Sequence, residues 1–596
     1  MHNFLGSKII QKFLPVFIFL FAFAIRVYGI NWDQNQHLHP DERFLTMTTG
    51  SMIWPKTFSE YINPSQSLLN PYNIGAGFYV YGTLPTTITK YLSRFEFFDK
   101  FQYNNIALTG RLMSTIFDVG VVILTFLITS KIFNRKTALL AAFLYSISVL
   151  PIQLSHFFAV DTFLNFFLVL SFYFLIKLIS EKKYSQSILL GLSYGAALAC
   201  KISALYFLPV LLLGLLFILL KNKKIVLVTY YLLLVTLFTY LSFRILDTHV
   251  FSGNLFSPKL SLQYIKNIKE LRSQGTKSSF FPPAIQWLSV KPVIFPLKNI
   301  ILWGFGLPLG ILSTLAVIHS SYNIFCVILT RGKNLITNIQ KRSFLNTQDD
   351  NRKNLIRNPN NVTIEQWNHF LVLFWILLLF FYQGVQFGSS MRYFLPIYPF
   401  IAIITANFIT THLFPKFKKS YILYSIFYIL VLLYLMSFLS IYSKPHSRVM
   451  ASEWIYKNIP AGSTLSCDAW DDCLPLNIEG VGYQNQYKIL SMEPFAMDTP
   501  EKQTKFNQQL QQLDYLVLTS NRAWGSLTKV PNKFPFMSKF YNDLFAGKLN
   551  FQKVAEITSY PIVPILNIPI SDQSSEEAFT VYDHPKVIIY KRLKGF

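Results

Sequence analysis

The sequence predicts a polytopic α-helical membrane protein that ends in a small α/β domain. Three observations carry this: long unbroken apolar runs, basic residues gathered in the short loops between them, and a polar tail after about residue 443. Of the 596 residues, 52% are hydrophobic and only 14% charged, with a mean hydropathy of +0.36. Several runs reach the roughly 18–20 residues that cross a bilayer. Phe and Tyr are abundant, which suits lipid-facing surfaces and interfacial belts.

The opening, with Lys8, Lys12, the core FLPVFIFLFAFA and the Ala22-x-Ala24 pair, fits a secretory signal. The apolar stretch runs past that point and many spans follow, so an uncleaved first span over Phe13–Ile30 is the better reading. The further spans expected are Ile106–Ser130, Thr137–Leu154, Phe157–Ile179, Ser187–Ser203, Ala204–Leu220, Ile225–Leu246, Ile300–Leu329, Phe370–Gln386, Tyr393–Leu413 and Tyr421–Tyr442. That makes about eleven. The fifth and sixth are separated only by Lys201 and Ser203.

With the N-terminus in the cytoplasm, the inside loops fall near Lys131, Lys182, Lys221 and Lys416 and over Arg331–Asn368. All are net basic, as insertion topology requires. The outside loops before Asp161 and around Gln383–Ser390 are short and nearly uncharged, while the basic outside loop Asp247–Asn299 is long enough to weigh little. Arg331–Asn368 reads as a mobile connector, and its Asn361 sequon carries no weight on that side. The expected organisation is a membrane module over 1–443, with outer loops 31–105 and 247–299, and an extracytoplasmic α/β domain over 444–596. In that tail HSRVMASEWIYKNI reads as an amphipathic helix, LDYLVLTS and KVIIYKR as strands.

The net charge of +25 does not signal a nucleic-acid partner, because no basic groove interleaved with stacking aromatics accompanies it. Four cysteines are too few for a disulfide scaffold. Cys200 and Cys326 read as small core residues; Cys467 and Cys473 would pair if the tail faces an oxidising compartment.

Acidic and basic side chains at the ends of spans are costly to keep and point to function. HLHPDERF places Asp41 and Glu42 beyond the first span, and SHFFAVDTF places Asp161 at the start of the fourth, on the same side. No GxxxxGK[ST], GxGxxG or GxSxG pattern is present. A synthetic enzyme on the outer face therefore needs a donor already energised in the membrane, and a lipid-phosphate-linked sugar meets that need. The chemistry requires a carboxylate to take a hydroxyl proton and cations to steady the departing phosphate. Asp41, Glu42 and Asp161 are the candidate catalytic residues, with mutual repulsion of Asp41 and Glu42 expected to raise one pKa. Lys201, Arg392 and Arg43 are the candidate phosphate ligands, and Arg26 also flanks the acidic loop.

Plainer roles exist for each. Asp161 fits a helix N-cap, Arg392 an interfacial anchor, and Lys201 a snorkelling side chain. His37, His39 and His156 with Asp41 offer a possible divalent metal site, with Asp41 and His156 the foremost ligands, although HxHPDE matches no standard spacing. The CDAWDDC run reads as a turn or interdomain contact rather than a nucleotide-sugar site.

HPDE (His39–Glu42), YGTLP (Tyr81–Pro85), Arg111, SHFFAVD ending at Asp161, Lys201 and RYFLPIYPF from Arg392 together resemble the GT-C membrane glycosyltransferases. The resemblance is to the bacterial phospholipid-carrier-dependent group related to protein O-mannosyltransferases and aminoarabinose transferases. It implies an inverting transfer of a monosaccharide from a polyprenyl-phosphate donor to an outer-face acceptor hydroxyl on a glycolipid, polysaccharide or protein. Asp41 would be the general base beside Glu42, Asp161 the second-loop carboxylate, and Lys201 and Arg392 the phosphate ligands. His39, His156, Tyr81 and Tyr393 would contact substrate. Relatives divide on metal dependence, so a divalent cofactor stays open. The chain lacks the large mid-chain outer domain of eukaryotic O-mannosyltransferases, which weakens the case for a protein acceptor. The alternatives are a transporter or flippase of a lipid-linked or anionic substrate, which calls for charges deep inside spans and inverted repeats, and a non-catalytic scaffold.

Overall fold

The computed structural model of the protein describes residues 8–277, 281–344, 363–416 and 421–593. Among these, eight helices are long and apolar enough to cross a membrane, or nine if the pair Arg135–Ser146 and Val149–Ser155, bent by 58°, is one span. The first expected span is the helix Lys8–Val27. Over the expected span Ser187–Ser203 the regular helix, Tyr184–Leu198, has 15 residues, about 22 Å at 1.5 Å per residue, short of the hydrocarbon thickness. The residues beyond it complete the passage, since Lys201 meets Asp161 at the start of the antiparallel helix Val160–Glu181, and Gly191 and Gly195 let the helix pack closely. A Cβ at Gly195 would stand 2.5 Å from Thr239 O on the helix Ile225–Leu246, so only glycine admits the neighbouring backbone.

The expected span Ile300–Leu329 is interrupted, with a short turn ending at Gly304 and a new helix over Leu307–Phe344. That helix continues into the segment expected as a connector; residues 345–362 of the connector, with the Asn361 sequon, lie outside the described residues. Phe13, Phe17 and Leu20, Leu212 and Leu216, Leu233 and Leu237, and Leu315 and Ile318 are exposed on the helix surfaces. Such a continuous apolar surface would aggregate in water and meets hydrocarbon here. The protein is a multi-pass membrane protein.

Charges also occur inside the bundle. Arg26 Nε lies 2.6 Å from Asp118 Oδ2, both fully buried; Arg26 Nη1 donates to Ser146 O, and the Tyr145 hydroxyl donates to Asp118 Oδ1. Arg26 is thus held inside the bundle by Asp118 and backbone carbonyls, with Nη2 left without a partner, and does not reach the acidic loop.

The tail begins directly after the last span, Ser425–Ser443, with the helix Ser447–Asn458. Its strands are β1 (Thr464–Asp468), β2 (Lys488–Met492), β3 (Tyr515–Leu518), β4 (Phe551–Ile557), the short β5 (Ile562–Val563) and β6 (Ile568–Pro569), and β7 (Val587–Arg592). Five form one sheet in the order β2-β1-β3-β7-β4, parallel on the β2-β1-β3 side and antiparallel around β7. Alternation divides the apolar residues between two faces. Tyr515, Val517, Val587 and Ile589 pack with Ala451 and Ile455 of the first tail helix. Leu516, Leu518, Ile588 and Tyr590 pack with Phe506, Phe540 and Leu544 of the helices Pro500–Gln512 and Pro535–Phe545. Cys467 and Cys473 form a disulfide.

A polar clasp joins tail and bundle. The ring of His584 lies between Asp583 Oδ1 at 2.5 Å and Asp572 Oδ2 at 2.8 Å, all fully buried. Gln153 and the Tyr442 hydroxyl, both from the bundle, each donate to Asp583 Oδ2 at 3.0 Å. Burial alone would lower the His584 pKa, but the two carboxylates outweigh it and push it up to about 10. Because this folded-state value exceeds the ordinary 6.5, the clasp stabilises fully below pH 6.5 and loses its contribution as pH rises through 10. Thermal unfolding in lipid nanodiscs between pH 6 and 10 is expected to show a falling melting temperature, with a shallower fall in His584→Gln. Parallel slopes for the two proteins would refute this.

Candidate active site

The run HPDE starts a helix, Pro40–Ser51, rather than a loop. His39 is its N-cap, with Nδ1 accepting from Glu42 N–H at 3.3 Å; Pro40 occupies the first helical position, and the two acids sit in the first turn where the helix dipole favours them. Consecutive residues on a helix point about 100° apart, so Asp41 and Glu42 part company. Asp41 faces the bundle end and lies 2.5 Å from Arg392 Nη1, with about a quarter of each side chain exposed. Glu42 turns inward and is fully buried.

This overturns the expected catalytic role of Glu42 and the expected rise in pKa from a carboxylate pair. Glu42 Oε1 and Oε2 take hydrogen bonds from Arg111 at 2.5 and 3.0 Å, and Oε2 also accepts from Phe158 N–H at 2.8 Å. Arg111 simultaneously grips both oxygens of Asp33, at 2.9 and 3.0 Å. Burial would raise the Asp33 carboxyl, but the Arg111 charge and hydrogen bonds hold it below its ordinary value. For Asp41 burial again acts upward; Arg392, then His39, outweigh it and bring the pKa down to about 2. Asp41 is therefore ionised at any physiological pH.

A second ion pair stands beside the first. Asp161 occupies the first turn of the helix Val160–Glu181, and its Oδ1 accepts from Lys201 Nζ at 2.8 Å. The N-cap of that helix is Ala159, so Asp161 is not a capping residue. Lys201 sits in extended backbone just past the helix Tyr184–Leu198, which directs its side chain toward the site instead of along the lipid interface. The backbone beneath is tight: Gly82 N–H donates to Cys200 O at 2.9 Å, and a Cβ on Gly82 would fall 1.8 Å from Ala199 O. Only glycine allows that approach, which brings Tyr81 beside Lys201. The cations of both pairs lie over one ring: Tyr393 has Lys201 Nζ 5.3 Å and Arg392 Cζ 5.4 Å from its centroid. Burial, then the Asp41 charge, pushes the Tyr81 hydroxyl well above its ordinary pKa, so it is a neutral donor. Asp41, Tyr81, Asp161, Lys201, Arg392 and Tyr393 are thus one constellation.

Three expected contacts fall elsewhere. Arg43 donates to His37 O and pairs with Asp472 of the tail at 2.7 Å; Asp472 and Asp471 are in turn held by Arg448. Arg43 is an interdomain tie, and the CDAWDDC run is its counterpart. His156 has Nδ1 2.8 Å from Ile152 O and Nε2 2.9 Å from Tyr28 O, with its ring stacked on Tyr442, so neither nitrogen is free for substrate or metal. His39 caps its helix and is buried between Phe157 and Tyr582. Among the described residues no group of three or more His, Cys, Asp or Glu is placed to hold a metal ion, and Asp41 and Asp161 are each engaged by a cation.

Two contributors from the tail were not anticipated. Tyr582 closes over His39, ring centroids 4.2 Å apart, near enough for the charges of Asp41 and Arg392 to act on its hydroxyl. Glu576 accepts from Ser390 Oγ at 2.9 Å and Met391 N–H at 2.7 Å, holding the turn that presents Arg392 and Tyr393. Tyr582 lies in the run VYDHPK (Val581–Lys586) and Glu576 in SSEEAF (Ser574–Phe579), and nothing in either run specifies a partner in the membrane module.

Residues 103–243 match the model of the dolichyl-phosphate-mannose-protein mannosyltransferase family. No curated protein matches the chain in sequence. Among solved structures, the oligosaccharyltransferase of Archaeoglobus fulgidus in the apo form aligns at 11% identity and TM-score 0.46, covering 99% of this chain and 90% of that one. ArnT of Cupriavidus metallidurans bound to undecaprenyl phosphate aligns at 11% identity and TM-score 0.42, covering 96% and 97%. The stretch of this chain from the helix Gln102–Ile132 to the helix Ile225–Leu246 therefore carries the sequence pattern of a glycosyltransferase family.

Proposed function

We propose that the protein transfers a monosaccharide from a polyprenyl-phosphate donor to an acceptor hydroxyl on the extracytoplasmic side, with inversion. The observation that carries this reading is the doubled ion pair, Asp41 with Arg392 and Asp161 with Lys201, around the single ring of Tyr393. The family match over 103–243 supports it. The basic loops on the opposite side and the Cys467–Cys473 disulfide support an extracytoplasmic tail and site.

In this mechanism the acceptor oxygen attacks the anomeric carbon and its proton passes to an Asp41 carboxylate oxygen. The bond from the anomeric carbon to the phosphate oxygen breaks, and its electron pair stays on the phosphate. Arg392 and Lys201 stabilise that charge, while Asp161 positions Lys201. A donor phosphate competes with Asp41 for Arg392, so donor binding weakens the clamp that keeps Asp41 a poor base. No step is assigned to a metal ion.

The test uses purified protein in nanodiscs with a panel of polyprenyl-phosphate sugars and an acceptor-rich membrane extract, reading release of free polyprenyl phosphate. Wild type is expected to release it from at least one donor, and Lys201→Ala to be slower by about 10²–10³-fold. Folded wild type inert to the whole panel would sink the proposal.

A further inference from the structure

The tail carries a charge-free stretch where it meets the last span. No Asp, Glu, Lys or Arg occurs between Glu556 and Asp572. The centre of this stretch, PIVPILNIPI (Pro561–Ile570), folds as the hairpin of β5 and β6, with Ile562 opposite Pro569 and Val563 opposite Ile568. Around its tip Ile565 is 94% exposed, Leu566 64% and Ile568 54%. Hairpin tips in water favour Gly, Asn and Asp. Ile565 also has a φ of +69°, a left-handed conformation that is costly for a β-branched residue and free for glycine. Water gives no reason to hold an isoleucine there.

The hairpin stands beside a surface that already meets hydrocarbon. Ile562 N–H donates to Ser440 Oγ at 2.9 Å, near the tail end of the last span. β5 packs against the helix Tyr421–Leu439 of that span, and Ile570 packs on the bundle core. The same helix exposes Ile429, Leu432 and Met436. The hairpin's backbone also suits a medium poor in hydrogen-bond partners. Three of its ten residues are proline and have no N–H to satisfy. The N–H groups of Ile562, Leu566, Asn567 and Ile570 donate to Ser440 Oγ, Pro564 O, Val563 O and Pro561 O at 2.8–3.0 Å. Open backbone donors are what keep irregular segments out of lipid.

We propose that the hairpin Pro561–Ile570 dips into the leaflet on the tail's side of the membrane, placing Ile565, Leu566 and Ile568 among the lipid chains just below the headgroups. A second copy of the chain fits the face less well. Three side chains cover far less than the roughly 1,200 Å² of a stable protein interface, and Pro564 and Pro569 blunt strand addition. Two residues beyond the hairpin stands Asp572 of the clasp, so the bilayer seats the segment that carries Glu576 and Tyr582. The inference does not depend on the transferase reading.

The experiment places a nitroxide on Leu566→Cys of the full-length protein in phosphatidylcholine nanodiscs. Cys326→Ala removes the partly exposed thiol, since Cys200 is buried and Cys467 and Cys473 are paired. Collision of the label with oxygen, which partitions into lipid, is compared with its collision with a water-soluble nickel chelate. The oxygen-to-nickel ratio is expected to be severalfold higher than for the same label on Lys505→Cys, an exposed position on the helix Pro500–Gln512. Ile568→Cys gives the same readout if Leu566→Cys fails to fold. Equal ratios at the hairpin and at Lys505→Cys overturn the proposal. Low access to both reagents overturns it as well, and dipolar coupling between labels would then assign the face to a second copy.

Discussion

Asp41→Asn is expected to lower sugar transfer by about 10²–10⁴-fold, the contribution of a positioned general base, while leaving the protein folded. The amide matches the carboxylate in shape but takes up no proton. The ion pair lost with Arg392 is roughly a quarter exposed on both sides, and pairs of that kind add little to stability. Since Arg392 and its neighbours bring Asp41 to about 2, the carboxylate is ionised throughout the range an assay covers. The rate of the free enzyme should therefore show no acid limb from Asp41 above about pH 4. The sign is that of a depressed acid: what the pair contributes to folding is present above the ordinary 3.8 and fades as pH falls toward 2. The measurement is polyprenyl-phosphate release at donor well below saturation, where kcat/KM reports the free enzyme, together with a thermal melt. Full activity in Asp41→Asn would remove Asp41 as the base.

Arg111→Leu is expected to cost about 3–5 kcal/mol, the penalty for leaving buried charge unpaired. Here two carboxylates are stranded, since Arg111 grips Asp33 and Glu42 at once and all three are at most 1% exposed. The damage spreads, because Glu42 Oε2 also takes Phe158 N–H near the start of the helix that carries Asp161. Arg111→Lys should fail nearly as badly, as an ammonium cannot reproduce five directed hydrogen bonds. A strongly lowered melting temperature in nanodiscs, with loss of folded protein after solubilisation, would bear this out. A melt within about 2 °C of wild type would refute it. The contrast with Asp41→Asn is the expected result: of two neighbouring acids, one substitution lowers turnover and loss of the other's partner lowers stability.

Much of this was readable from residues in order. The spans were visible because hydrocarbon thickness sets a minimum apolar length, and Lys201 marked a break because a charge and a polar serine cannot continue a lipid-embedded helix. LDYLVLTS and KVIIYKR appeared as strands from their β-branched and aromatic content. The strands TLSCD and KILSM were missed, since a five-residue run with two or three polar members has no clear period. The helix Tyr184–Leu198 ends before its apolar run does, because composition does not say where the chain bends.

Asp41, Asp161, Lys201 and Arg392 were identifiable from the sequence because charge at the end of an apolar run is expensive and so declares itself. Which partner each carboxylate faces was not. Glu42 and Asp41 are equivalent in sequence, and only the rotation of a helix residue by about 100° separates a buried acid held by Arg111 from a half-buried one facing Arg392. Arg43 and His156 had the right residue type and the right side of the membrane, yet packing committed one to Asp472 and the other to two carbonyls. The tail's hold on the site, through Glu576 and Tyr582, spans hundreds of residues of chain. Composition and periodicity determined that this is a membrane protein with acids and bases clustered at span ends, because those costs are local. Only the tertiary structure decided which of those charges meet, because pairing depends on distances that chain order does not contain.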